Sequence, residues 1–379
     1  MHGYLSRLAT VELDGEVDWG AVEDLVEALT RLGTKRILIT GHTGFKGSWL
    51  TEWLLRYGAK ITGVALEPET TPSHFGQLQT DKRIDHHIVD IRDAEKLSQI
   101  FRKSQPEVVF HLAAQALVRR SYRDPKETFD TNVGGGINVL ECVRATDSIE
   151  SLVFVTSDKC YLNKELTRGY TESDELGGID PYSASKAAAE LAFATYSAAF
   201  FSGDSGIAAA SARAGNVVGG GDWSEDRIVP DCMRALKSRT PISLRRPKAT
   251  RPWQHVLEPL SGYITLANQL LVNPQLARGS WNFGPDDSAV HSVQDVVDQC
   301  MKNWGEPVPI ESHESAVHEA GLLQLNCEKA HNQLRWRPRW NFERTIKETA
   351  DWYKKVSLGA SVHETTVNQI KLYEETRND

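Results

Sequence analysis

The segment Gly41-His42-Thr43-Gly44-Phe45-Lys46-Gly47 constrains this chain more than any other, because it lies directly between the apolar run RILIT and the helical run SWLTEWLLRYG. Glycines at these three positions let the backbone turn tightly, and they let the N–H groups of a helix start approach a pyrophosphate. A glycine triplet alone is a weak signal. Here the strand AKITGVAL follows the helix and completes a β-α-β unit, which is the context a dinucleotide-binding turn requires.

Further apolar runs at HHIVDI, PEVVFHLAA, SLVFVTS and IAAASARAGNVVG are separated by segments of helical periodicity. Their hydrophobicity is unbroken rather than alternating, as in parallel strands covered on both faces. The expected fold class is therefore α/β, a Rossmann-type doubly wound parallel sheet. After about Gly219 the alternation lapses and prolines at 230, 241, 247, 252 and 259 punctuate shorter elements. This predicts a NAD-binding and catalytic domain over 35–218, and a smaller, partly interleaved C-terminal domain over 219–379, mainly for substrate. Residues 1–34 form an N-terminal extension, with Val22, Leu25, Val26, Leu29 and Leu32 spaced for one amphipathic helix.

Among 379 residues, 43 Lys and Arg against 51 Asp and Glu give a net charge of −8, which argues against nucleic acid or an anionic membrane as partner. Five cysteines without a CxxC pair suggest neither a disulfide framework nor a zinc ribbon, and fit a reducing cytoplasm. No apolar run reaches the length of a membrane span, and the acidic residues near the N-terminus do not suit a signal peptide. His313 and His318 are five apart, off the spacing that sets two ligands on one helical face, so no metal is expected.

The cofactor residues extend outward from the glycine turn, where Gly41, Gly44, Phe45, Lys46 and Gly47 face the pyrophosphate. Glu67, at the end of the second strand, stands where an acid can meet the adenosine ribose, and no arginine sits nearby to welcome a 2′-phosphate, which favours NAD over NADP. Asp90 and Ile91 follow the third strand, beside the expected adenine. Leu112, Ala113, Ala114 and Gln115 leave the fourth strand with small residues that admit a cofactor. His111 alone reads as an ordinary loop histidine.

Tyr182 and Lys186 stand four apart in DPYSASKAAAE, one turn apart on a helix that Asp180 and Pro181 can start. A cation near a phenol lowers its pKa, and Ser157 in VFVTSDKCY supplies a hydroxyl. With these residues the chain resembles the extended short-chain dehydrogenases and reductases that act on nucleotide sugars, from Lys35 to about Tyr353. Asp158 and Lys159 narrow the resemblance to the nucleotide-sugar 4,6-dehydratases, which carry an acid and a base at those two positions. A lysine in the second place, together with TGFKGSW, RAGNVVGGGDW and TRPWQHVLEPLSGY, is similar to the branch acting on CDP-glucose.

The resemblance implies that Tyr182, helped by Ser157, takes the proton of the sugar's 4-hydroxyl while hydride leaves C4 for NAD. Lys159 then removes the C5 hydrogen as Asp158 protonates the departing 6-hydroxyl, and the hydride returns to C6. A competing reading makes Asp158 and Lys159 a salt-bridged pair on a solvated loop. Asn216, Arg227 and Arg251 are the candidates for the sugar diphosphate, while Arg245 and Arg246 read equally as a solvated pair. Trp253 and His255 are expected to pack between domains. A 4-epimerase, a dehydratase for another nucleotide and a non-catalytic NAD-binding regulator are the alternatives. The family also implies a homodimer or higher homo-oligomer.

Overall fold

The computed structural model describes residues 25–202, 206–244, 246–285, 290–312 and 323–376. Its centre is a seven-stranded sheet: β1 (Arg36–Thr40), β2 (Lys60–Ala65), β3 (Asp85–Ile88), β4 (Val108–His111), β5 (Ser151–Val155), β6 (Ala208–Ala214) and β7 (Gly279–Phe283). The order across it is β7-β6-β5-β4-β1-β2-β3, and every pairing is parallel. The strand order reverses between β1 and β4, so the loops leaving their carboxyl ends open onto the crevice where such sheets bind ligands. Both the glycine turn after β1 and residues 112–115 after β4 lie there.

The helices form because apolar residues recur along one stripe and the ends are capped. Asp180 caps helix Pro181–Phe200 by accepting from Ser183 N at 2.9 Å, and Pro181 occupies the first turn, where its missing N–H costs nothing. Helix Phe45–Arg56 buries Trp49 and Trp53 completely. Burying an aromatic or aliphatic side chain of this kind stabilises by roughly 1.5–3 kcal/mol.

Residues beyond Gly219 return to the sheet twice. β7 forms its edge beside β6, and helix Leu257–Val272, buried along almost its whole length, packs against β5 and β6. The run IAAASARAGNVVG divides into β6 and a short strand, Val217–Val218, which leaves the sheet to pair with Gln254–His255. Helix Leu25–Leu32 packs on Leu257–Val272, with Leu25, Leu29 and Leu32 buried and Val26 exposed. Val22 lies outside the described residues.

Candidate active site

The glycine turn is held by close approach. Gly41 has φ +77°, and a Cβ there would lie 2.7 Å from Ala113 N; a Cβ on Gly47 would lie 2.1 Å from Gly41 O. Gly44 is exposed and heads helix Phe45–Arg56 with no side-chain cap and no acid in the first turn. The first amides of that helix are therefore available to an anion.

Around this turn, Ile91 is buried and Asp90 accepts from Arg92 Nη2 at 2.6 Å. Gln115 N donates to Asn132 Oδ1 at 2.8 Å, and Leu112, Ala113 and Ala114 are half-buried along the crevice. Glu67 is exposed. The sequence puts no arginine close to it, yet the fold brings Arg120 to Glu69 at 2.6 Å, where Glu69 and Glu127 both engage the guanidinium. His111 is not a loop residue: it ends β4, is buried, and its Nδ1 meets Thr40 Oγ1 at 2.7 Å. Burial pushes its imidazole down to about 3, so it is neutral.

Past the carboxyl end of β5 opens a cavity of about 690 Å3 lined by Ser157, Asp158, Lys159 and Tyr182, and also by Asn216, Arg227 and Arg251. Seven of the eight catalytic and substrate residues nominated by the sequence, all but Lys186, thus share one space. Ser157 caps the single turn Asp158–Cys160, accepting from Lys159 N at 3.2 Å while its own hydroxyl donates to Asp158 Oδ1 at 2.8 Å. Burial raises the Asp158 carboxyl, opposed by the Lys159 ammonium and the Ser157 hydroxyl. Lys159 is half-buried at the wall.

Lys186 Nζ stands 6.0 Å from the centre of the Tyr182 ring. The expectation that this cation lowers the phenol is not met. Burial raises Tyr182 to about 12, opposed first by its hydrogen-bonding interaction with Ser157, and burial lowers Lys186 to about 8. Arg227 Nη1 pairs with Asp222 Oδ2 at 2.8 Å, and Arg251 Nη1 donates to Thr250 O at 2.7 Å.

Trp253 lines the cavity with its indole N–H on His291 O at 3.0 Å, whereas His255 is wholly buried between Trp49 and Trp340. Arg246 also lines the wall; Arg245, His313 and His318 lie outside the described residues. Among the described residues, no three His, Cys, Asp or Glu side chains gather as metal ligands.

Some supporting residues escaped the sequence reading. Lys46 was placed with the cofactor turn, but its side chain reaches the cavity wall, 3.5 Å from Tyr263 Oη, and its ammonium is lowered to about 8 by burial and by Lys186 and Arg227. Asn132, in the π-helical segment Asp130–Gly135, joins Gln115 to the catalytic helix through Ser185 Oγ at 2.9 Å. Glu190, one turn beyond Lys186, receives Thr156 Oγ1 and Arg213. Its spacing from Tyr182 and Lys186 was the available signal; Asn132 had none.

Residues 38–349 match the model of the GDP-mannose 4,6 dehydratase family. The chain is 45% identical over 325 residues to a CDP-glucose 4,6-dehydratase of Salmonella typhimurium, covering 84% of this chain and 90% of that one. Among solved structures it resembles an epimerase of Methanothermobacter thermautotrophicus, with TM-score 0.76 and 21% identity, covering 88% of this chain and 96% of that one. A Thermus thermophilus UDP-glucose 4-epimerase in complex with NAD aligns with TM-score 0.69 and 26% identity, over 84% of this chain and 99% of that one.

Proposed function

The chain belongs to the GDP-mannose 4,6-dehydratase family of extended short-chain dehydrogenases and reductases, and from that premise we propose that it is a CDP-glucose 4,6-dehydratase. This hydro-lyase turns CDP-glucose into CDP-4-keto-6-deoxy-glucose and water. The observation that carries the reading is the meeting of Ser157, Asp158, Lys159 and Tyr182 in one cavity. An epimerase needs only the redox group, whereas an elimination also needs an acid and a base beside it. A non-catalytic regulator needs neither.

The crevice suits NAD: two of its glycines are required by backbone contact, the third is exposed, and the helix start carries no competing acid. When bound, NAD accepts a hydride from C4 and returns it to C6. In this reading Gly41, Gly44, Phe45, Lys46 and Gly47 hold its pyrophosphate, Glu67 its adenosine ribose, Asp90 and Ile91 its adenine, and residues 112–115 its inner face. Lys186 serves the nicotinamide ribose.

Tyr182 takes the proton of the 4-hydroxyl. The ketone formed acidifies C5–H, Lys159 as the neutral amine removes that proton, and Asp158 protonates the departing 6-hydroxyl; burial raises the Asp158 carboxyl, so it holds a proton for this step more firmly than a free carboxyl. Asn216, Arg227 and Arg251 meet the diphosphate. Residues 35–218 form the cofactor and catalytic part, and 219–379 mainly the nucleotide-sugar part, with 1–34 as an extension.

Leu191 and Phe200 on helix Pro181–Phe200, with Tyr122 and Phe129 beside it, are exposed apolar side chains that suit a homodimer face. Five buried cysteines, none of them in a disulfide, suit the cytoplasm and its deoxysugar biosynthesis. No described helix is long and apolar enough to cross a membrane. Incubation with CDP-, dTDP-, UDP- and GDP-glucose, read for the 4-keto product, tests the substrate. A larger kcat/KM for any of the last three would overturn the cytidine assignment.

A further inference from the structure

Proton accounting for the proposed reaction leaves two residues unbalanced. Oxidation breaks O4–H and C4–H, and the O4 proton goes to Tyr182. Elimination breaks C5–H and C6–O6, and O6 departs as water with a proton taken from Asp158. The base at C5 gives back what it took, and the hydride that left C4 is restored at C6. Each cycle therefore leaves Tyr182 one proton richer and Asp158 one proton poorer.

We infer that Ser157 closes this imbalance: the proton of the substrate's 4-hydroxyl passes from Tyr182 through the Ser157 hydroxyl to Asp158, and it leaves in the water formed at C6. The inference rests on the dehydratase reading and assigns Ser157 a role in both halves of the reaction. The Ser157 hydroxyl donates to Asp158 Oδ1 at 2.8 Å, the direction the relay requires when Asp158 is the carboxylate that only accepts. Lys159 N–H occupies one Ser157 lone pair at 3.2 Å, and Tyr182 lines the same cavity as Ser157 and Asp158.

The Ser157–Asp158 hydrogen bond thus runs in the direction the proton must travel. Tyr182, Ser157 and Asp158 are 8%, 7% and 4% exposed, so the three groups are largely withdrawn from bulk water. A phenol held neutral by burial acts as a conduit, accepting from O4 as it releases its own proton to Ser157. The acid that elimination needs is then charged by the oxidation that precedes it.

The test follows C4 oxidation in a single turnover, by reduced-cofactor absorbance, as a function of pH. With the relay intact the rate stays flat from about pH 6 to about pH 7.5, below the region near 8 where Lys46 and Lys186 lose their protons, because no phenolate has to form in advance. Ser157→Ala and Asp158→Asn each interrupt the relay, so in both variants the oxidation rate climbs about tenfold per pH unit as free phenolate becomes the base. Ser157→Thr keeps the hydroxyl and restores the flat profile.

The decisive variant is Asp158→Asn, whose assigned chemistry is at C6 and whose lost charge lowers the Tyr182 phenol, which without a relay would speed C4 oxidation rather than turn a flat pH profile into a sloped one. A flat profile in Asp158→Asn, whatever its absolute rate, overturns the relay, as does a sloped profile in Ser157→Thr. A uniform fall at every pH marks a structural defect and also overturns it. Failure of the unmodified enzyme to form any 4-keto product would instead contradict the dehydratase reading.

Discussion

Thr156 donates its hydroxyl to Glu190 Oε1, joining the end of β5 to the helix that carries Tyr182 and Lys186. The second oxygen of Glu190 accepts from Arg213 Nη2 at 2.7 Å and from Ser211 Oγ at 2.9 Å, both on β6. The residue before Ser157 and the turn after Lys186 are thus fastened at one carboxylate. Burial pushes that carboxyl up, but the Arg213 guanidinium outweighs it and holds the group ionised.

Glu190→Ala leaves Arg213 buried without its anion, so the folded state should lose about 3–5 kcal/mol in denaturant unfolding. Replacing both residues, as Glu190→Gln with Arg213→Met, should recover most of that loss, because neither charge is then stranded. Equal destabilisation in the single and double variants would show that the ion pair is not what the fold depends on.

Much of this site could be read before folding was considered. β1, the glycine turn and the following helix are contiguous, so the local pattern contains the glycine-lined part of the crevice. Tyr182 and Lys186 share a helix, and Ser157, Asp158 and Lys159 share a strand end. Glu190 with Arg213, Asn132 with Ser185, and Lys46 with Tyr263 are tertiary pairs. No periodicity announces such pairs. The expected lowering of the Tyr182 phenol failed for a related reason: sequence spacing shows a cation nearby but not the burial that opposes it. β7 was likewise hidden, since Gly279–Phe283 is a short run flanked by loops and gains its place only by pairing with β6.

Lys46 and Lys186 both lose their protons near pH 8 instead of near 10.5, largely through burial. Each is a cation below that value and neutral above it, so affinity for NAD should fall as pH rises through about 8. Calorimetric titration should show a smaller fall in Lys46→Met, with the remainder owed to Lys186. The same pH dependence in parent and variant would remove Lys46 from the anion site.

Lys159 is assigned the C5 proton. Lys159→Met keeps length and apolar stem while removing the amine, so C4 oxidation should persist and exchange of solvent deuterium into C5 should fall by the ~10²–10⁴ of a lost general base. Exchange near the parent rate would leave Lys159 only an electrostatic partner of Asp158, and another group would have to take the proton.

The central claim is that one site oxidises C4, expels water across C5 and C6, and puts the C4 hydrogen back at C6. CDP-glucose carrying deuterium at C4 tests it in one incubation, with the product examined by proton NMR. The account predicts CDP-4-keto-6-deoxy-glucose with deuterium in the C6 methyl group and no accumulation of reduced NAD. Deuterium retained at C4 of an epimerised sugar, or reduced cofactor accumulating in step with product, would contradict it.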